Sequence, residues 1–318
     1  LGALALPLSL ASVAYAQIDA DGPPPWAFAA NPPAAQHLAV SDDGSPRHVA
    51  GSAVALTLAQ VKDAFNVPDW HPDNHPAAPD IVLHGHRPGV MACGYCHLPN
   101  GLGRPENASL AGLPAAYIKQ QIADFRSGAR QSAVPDLAPQ MLMAGVATAA
   151  TDAEVSEAAA YFSALQPKVW VRVVEASTVP KTHVAGYMFV RNDDGGTEPI
   201  GYRIIETPEN LTQTELRDSA SGFIAYVPPG SVAKGEALVK TGGGKATPCG
   251  VCHGVDLKGL GPVPPLAGRS PSYIVRQLYD FQRGARAGAW SPLMQGVVRD
   301  LNADDLVDIA AYTASQRP

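Results

Sequence analysis

Cys93-Gly94-Tyr95-Cys96-His97 and Cys249-Gly250-Val251-Cys252-His253 decide how this chain is read, because one repeated pattern holds all four of its cysteines. Outward from each motif the surroundings repeat as well. Leu110-Ala111-Gly112 matches Leu266-Ala267-Gly268, and Tyr117-Ile118 matches Tyr273-Ile274. Asp124-Phe125 matches Asp280-Phe281, Gly128-Ala129-Arg130 matches Gly284-Ala285-Arg286, and Ala160-Tyr161 matches Ala311-Tyr312. One domain is used twice, over residues 88–167 and again over 233–318. The apolar period inside each copy is helical: Ile118, Ile122 and Phe125 share a face, as do Ile274, Leu278 and Phe281. A last helix is expected from Thr151-Asp152, capped by Thr151, with Val155, Ala158, Ala159 and Phe162 on one side. Its counterpart is capped by Asn302 and carries Leu306, Ile309, Ala310 and Thr313. The fold class expected is mainly α.

Cys-x-x-Cys-His is the attachment signature for c-type haem. Two thiols at this spacing add across the two vinyl groups of one porphyrin, and the adjacent His97 or His253 offers its imidazole to the iron. Covalent attachment suits domains too small to hold a large flat cofactor by burial alone. A disulfide in each motif leaves the paired histidines unexplained, and a zinc site built from both pairs would have to join two separate domains. Two covalently bound haems c are therefore expected, on Cys93, Cys96 and His97 and on Cys249, Cys252 and His253.

A closed electron carrier needs a second axial ligand, and a Met thioether raises the potential while excluding small molecules. Met143 stands 18 residues before Tyr161, and Met294 stands 18 before Tyr312. Equal register makes them the distal candidates, placed in a loop ahead of each last helix. Met141 is a rival to Met143. Met91 and Met188 have no repeat counterparts and read as packing residues.

These residues, from Cys-x-x-Cys-His through Leu-Ala-Gly, the Tyr-Ile helix, Gly-Ala-Arg, the Met and the final Ala-Ala-Tyr helix, resemble the dihaem cytochromes c of the cytochrome c4 type. The resemblance covers the two repeats, about half of the chain. It implies two class I cytochrome c folds with His97/Met143 and His253/Met294 as axial pairs. It also implies electron transfer in the periplasm toward a terminal oxidase, or a role as the cytochrome subunit of a dehydrogenase. Two departures stand out. Where the family commonly has a proline touching the proximal histidine, Pro264 fits the second repeat but Ala108 stands in the first. The segments before and between the repeats have no place in the compact family pattern and suggest a partner of this chain's own.

The remaining stretches fit around that core. Leu1 to Ala16 is an apolar run ending in Ala14-Tyr15-Ala16, which reads as the remnant of a secretory signal cleaved near Ala16. It is shorter than the roughly 20 residues that span a bilayer. Residues 17–87, rich in Pro, Gly, Asp and His, read as an extended arm with a short helix near Leu56 to Phe65. In 168–232 the alternations Val169/Val171/Val173, Ile200/Tyr202/Ile204 and Phe223/Ala225/Val227 predict short strands packed between or beside the helical domains. His71, His75, His84 and His86 cluster ahead of the first motif and read chiefly as solvated loop residues, a distal ligand or metal site being the alternative. The 318 residues, 46% hydrophobic and 16% charged with a formal charge of -6, suit a globular protein and give no nucleic-acid footprint. The expected partners are redox proteins, a periplasmic dehydrogenase or a terminal oxidase, with peripheral association to a membrane complex. The reading in competition is a dihaem enzyme such as a cytochrome c peroxidase, which needs an open iron.

Overall fold

The computed structural model describes residues 22–29 and 42–318, so the signal read at 1–16 lies outside the described residues. Ahead of the first motif the described residues form only single helical turns, α1 (Leu58–Val61), a 3-10 turn at Pro72–Asn74, and α2 (Asp80–Leu83). Pro68, Pro72, Pro76 and Pro79 forbid anything longer. The first repeat supplies α3 (Cys93–His97), α4 (Ala115–Arg126), α5 (Ala138–Ala149) and α6 (Asp152–Ala164). The inserted segment holds β1 (Val171–Glu175), β2 (Thr178–Pro180), β3 (Thr182–Ala185), β4 (Met188–Arg191), β5 (Thr197–Pro199), β6 (Ile205–Pro208), α7 (Leu211–Glu215) and β7 (Phe223–Val227). The second repeat follows as α8 (Ser231–Thr241), α9 (Gly250–His253), α10 (Pro271–Gln282), α11 (Ser291–Val298) and α12 (Ala303–Ser315).

The two last helices start where their caps dictate. Thr151 Oγ1 accepts from the Glu154 amide while the Glu154 carboxylate accepts from the Thr151 amide at 2.7 Å, and Asn302 and Asp305 make the same reciprocal pair. Each box satisfies two donors that a helix start otherwise leaves open. Met143 and Met294, expected in loops, lie instead in α5 and α11. Pro139 and Pro292 near the first position of each helix suit its start, and the Leu, Met and Ala that follow favour helix.

β7 pairs with β1 in parallel and with β6 antiparallel, while β2–β5 and β3–β4 form two separate ribbons. The strand expected over Ile200 to Ile204 is not one. Gly201, at φ +63°, turns the chain between β5 and β6, and Ile200 and Ile204 are buried from the turn. Strands β3 and β4 are joined by Gly186 and Tyr187, both at positive φ, the two-residue turn whose twist matches a hairpin. The insert lies between the repeats. Trp170, Val171, Met188, Phe223 and Ala225 complete the core around Ile118 and Phe162. Val179, Ile200, Ile204, Ile205 and Val227 join the core around Ile274 and Leu306.

The arm does not trail free. Trp70 Nε1 donates to the Leu216 carbonyl at 2.7 Å, and Leu58, Val61, Trp70 and Leu216 form a third small core. Ile81 and Val82 of α2 are buried with Ile118 and Phe162, so the first core begins ahead of residue 88. In the second repeat α8 is a full helix lying against α12, and a Cβ at Gly235 would run into the Asp308 carbonyl oxygen. G235A is expected to force α8 off α12 and to lower stability by about 1–3 kcal/mol, the usual cost of overpacking. A reduced denaturation midpoint in far-ultraviolet circular dichroism checks this.

Candidate functional site: two matched histidine–thiol sites

Helix α3 brings Cys93, Cys96 and His97 to one wall of a crevice of about 370 Å³, within the range of cofactor clefts. Gly94 allows α3 its approach to α2, since a Cβ there would lie 2.8 Å from the Val82 carbonyl oxygen. His97 is buried, and its Nδ1 donates to the Ala108 carbonyl at 2.8 Å. Burial lowers the His97 pKa, against the opposing effect of that hydrogen bond, so the ring stays neutral. With the proton on Nδ1, the Nε2 lone pair is free to ligate a metal. Apolar side chains, among them Leu110, Ile118, Phe125 and Val146, line the crevice, and Met143 lies among them. Met141 is 51% exposed and does not line it. Met91, read from sequence as a packing residue, does line it, whereas Met188 is fully buried in the core.

The second repeat copies the central contact. His253, also buried, donates from Nδ1 to the Pro264 carbonyl at 2.8 Å, and burial lowers its pKa in the same way. Ala108 and Pro264 occupy one repeat position, and because the acceptor is a backbone carbonyl, the change of side chain leaves the bond intact. None of the four cysteines is joined in a disulfide. Burial pushes the Cys93 thiol up to about 12 and the Cys249 thiol up to about 11. Met294 is partly buried against the second core, while Cys252 is exposed and Val251 is 63% exposed.

Between the sites the repeats meet across a near-symmetric seam. Arg130 donates to the Tyr273 hydroxyl and to Gln277 Oε1, each at 3.1 Å, and to Gln121 Oε1 at 2.8 Å. Arg286 returns the pattern, donating to Gln121 Oε1 at 2.6 Å, Gln277 Oε1 at 3.2 Å and the Tyr117 hydroxyl at 3.4 Å. Two main-chain bonds, Gln131 to Ala285 and Ala287 to Ala129, close it. Burial would raise the Tyr117 hydroxyl, but Arg286, Arg130 and Arg269 together hold it below its ordinary value. The repeated Gly-Ala-Arg was visible in the sequence, and its role here was not.

The chemistry of the first crevice fits a haem. Four guanidinium groups line it, on Arg104, Arg130, Arg217 and Arg276, against two carboxyl groups, on Glu106 and Asp280. That surplus of cations suits a ligand carrying two carboxylates. Arg217 and Tyr187 come from the insert and had no sequence signal, having no counterpart in the other repeat.

The four histidines ahead of the first motif do not converge, and none lines the crevice. His71 Nε2 pairs with Asp218 Oδ1 at 2.9 Å, and His86 Nδ1 pairs with Glu154 at 2.6 Å. His75 lies between Asp69, 3.2 Å from Nε2, and the Pro76 carbonyl, 2.9 Å from Nδ1. His71 is buried and the His75 side chain is only 3% exposed, so these two are pinned structural residues and not the solvated ones expected. Among the described residues no group of three His, Cys, Asp or Glu side chains could hold a metal ion.

No family model matches the chain. It is 27% identical over 234 residues to the thiosulfate dehydrogenase electron acceptor of Stutzerimonas stutzeri, covering 73% of this chain and 82% of that protein. Cytochrome c-554(548) of Halomonas halodenitrificans is 36% identical over 88 residues, which is 27% of this chain and 98% of that protein. Cytochrome c4 of Azotobacter vinelandii is 38% identical over 93 residues, 27% of this chain and 43% of that protein. With two histidine–thiol sites on paired helical repeats, the class is that of electron-transfer proteins carrying two covalent c-type haems. The chain belongs to the c-type cytochromes and is a dihaem member similar to cytochrome c4.

His75 carries a testable pH dependence. The hydrogen bond to Asp69 raises its pKa above the ordinary 6.5, with burial opposing. A raised folded pKa means that its stabilising contribution is fully present below the unfolded value and is lost as pH rises through the folded one. The difference in thermal midpoint between wild type and H75Q should be largest in acid and shrink above neutrality. A difference independent of pH would contradict the assignment.

Proposed function

We propose that Cys93, Cys96 and His97 hold one haem and Cys249, Cys252 and His253 the other, with Met143 and Met294 as distal ligands. The observation that carries this reading is the pair of equal imidazole bonds, 2.8 Å in each repeat, which leave Nε2 free in both. Each repeat is then a class I cytochrome c domain, 88–167 with α2 added and 233–318 with the start of α8, separated by the β-rich segment. Each haem, when bound, supplies a one-electron iron couple. The protein's part is to hold the imidazole in one tautomer, to close the far side with a thioether, and to exclude water with the apolar lining. Arg104, Arg130 and Arg276 offer partners for haem carboxylates at the first site.

In this reading the chain works in the periplasm as a carrier or acceptor subunit and not as an enzyme. Its electrons come from a dehydrogenase, and the similarity to two thiosulfate dehydrogenase electron acceptors makes a thiosulfate dehydrogenase the first candidate. They leave to a respiratory acceptor such as a terminal oxidase, and any membrane association is peripheral, through that partner.

M143A and M294A should each remove about half of the sulfur-to-iron charge-transfer band and open one haem to carbon monoxide, while M141A keeps the full band. Loss of the band in M141A would transfer the ligand role to Met141. In stopped-flow mixing, a thiosulfate dehydrogenase with thiosulfate should reduce both haems. Absence of reduction would remove that donor.

A further inference from the structure

The inserted segment sends two side chains into the first crevice. Tyr187 sits at the tip of the β3–β4 hairpin, and Arg217 follows the end of α7. Both hold left-handed backbone, at φ +63° and +55°. That conformation costs an ordinary L-residue about 1–2 kcal/mol, and glycine is the usual occupant where a helix ends this way. At Arg217 the side chain has a use. Its guanidinium stacks 3.6 Å from the centroid of the Tyr95 ring, and Nη1 donates to the Tyr95 carbonyl at 2.6 Å, one residue before Cys96.

The other three cations of the crevice already have partners: Arg104 pairs with Glu106 at 2.5 Å, Arg130 is engaged in the seam, and Arg276 donates to the Ala27 and Pro105 carbonyls. Arg217 comes from the insert, forms no ion pair among the described residues, and donates to the neutral Tyr95 carbonyl. The position matching Tyr95 in the second motif is Val251, which is exposed.

We propose that Arg217 is a potential-setting residue of the first haem: the insert delivers a fixed positive charge to one repeat only, and so separates the two redox couples. The proposal rests on placing the first haem on Cys93, Cys96 and His97. With neutral imidazole and thioether ligands, an oxidised haem core carries one net positive charge and the reduced core none. A nearby cation therefore disfavours the oxidised state and raises the reduction potential. Arg217 is partly buried, which limits screening by water and salt, and an arginine does not lose its proton in a protein. The Ala108/Pro264 difference contributes little to the separation, since both carbonyls meet their imidazoles at 2.8 Å.

The test is a spectroelectrochemical titration of the dihaem holoprotein. R217Q removes the charge, R217G removes it while relieving the left-handed strain, and R217K keeps it. In R217Q and R217G the reduction equilibrium constant of one haem should fall about tenfold, ~59 mV for a one-electron couple, with the other haem unmoved. R217K should stay near wild type. M143H, which exchanges thioether for imidazole on the crevice wall, identifies the first haem by lowering the same midpoint. An unchanged or raised midpoint in R217Q and R217G, an equal fall in R217K, or a common shift of both haems would overturn the proposal. Failure of a peptide spanning Cys93–His97 to carry haem mass would instead overturn the placement it rests on.

Discussion

A hydrogen bond from imidazole Nδ1 to a backbone carbonyl eleven residues onward organises each half of this protein. It sets the tautomer, turns Nε2 away from the chain and fixes the plane of the ring. Burial lowers the pKa of each ring and so favours the neutral imidazole, the form that can ligate a metal. The loop that returns the carbonyl is shaped for the purpose. Gly103 donates its amide to the His97 carbonyl at 2.9 Å, and the matching Gly259 does the same to His253 at 2.8 Å. Both glycines have positive φ, and a Cβ on either would lie within 3 Å of a carbonyl oxygen.

Around that shared centre the two repeats are dressed differently. The second has a long first helix, α8, seated on α12 through Gly235. In the first, prolines reduce the same region to the single turn of α2, and the arm and insert supply the missing cover. Trp70, His71 and Leu216 tie arm to insert, and Phe223, Trp170 and Met188 tie insert to the first core. The segment 22–29 bridges the repeats. Arg276 holds the Ala27 carbonyl at 2.7 Å and also bonds the Pro105 carbonyl, while Phe28 packs edge-on against Tyr279.

What could be read from sequence follows from how local each cause is. Caps at Thr151 and Asn302, helical stripes at Ile118 and Ile274, and the Cys-x-x-Cys-His motifs act within one or two turns of chain, and the repeat presents each twice. The helices that carry Met143 and Met294 were missed because Pro139 and Pro292 look like breakers, whereas proline in the first turn of a helix is tolerated. The strands β2, β3 and β4 are three or four residues long and held by pairing partners instead of strong alternation. Arg217, Tyr187 and Arg276 reach the first crevice through long-range topology. Such residues have no local signature, and without a counterpart in the other repeat nothing marks them.

The seam between the repeats has a mechanical implication. Arg130 and Arg286 each satisfy their guanidinium groups largely on the other half of the molecule, and the main-chain pair beside them crosses as well. Prising the halves apart would strand buried charges and amide groups whose partners lie on the opposite side. The spacing of the two redox centres is thus a property of the fold and not of a linker, and neither half is expected to behave as a free-standing unit if the chain is severed within 168–232.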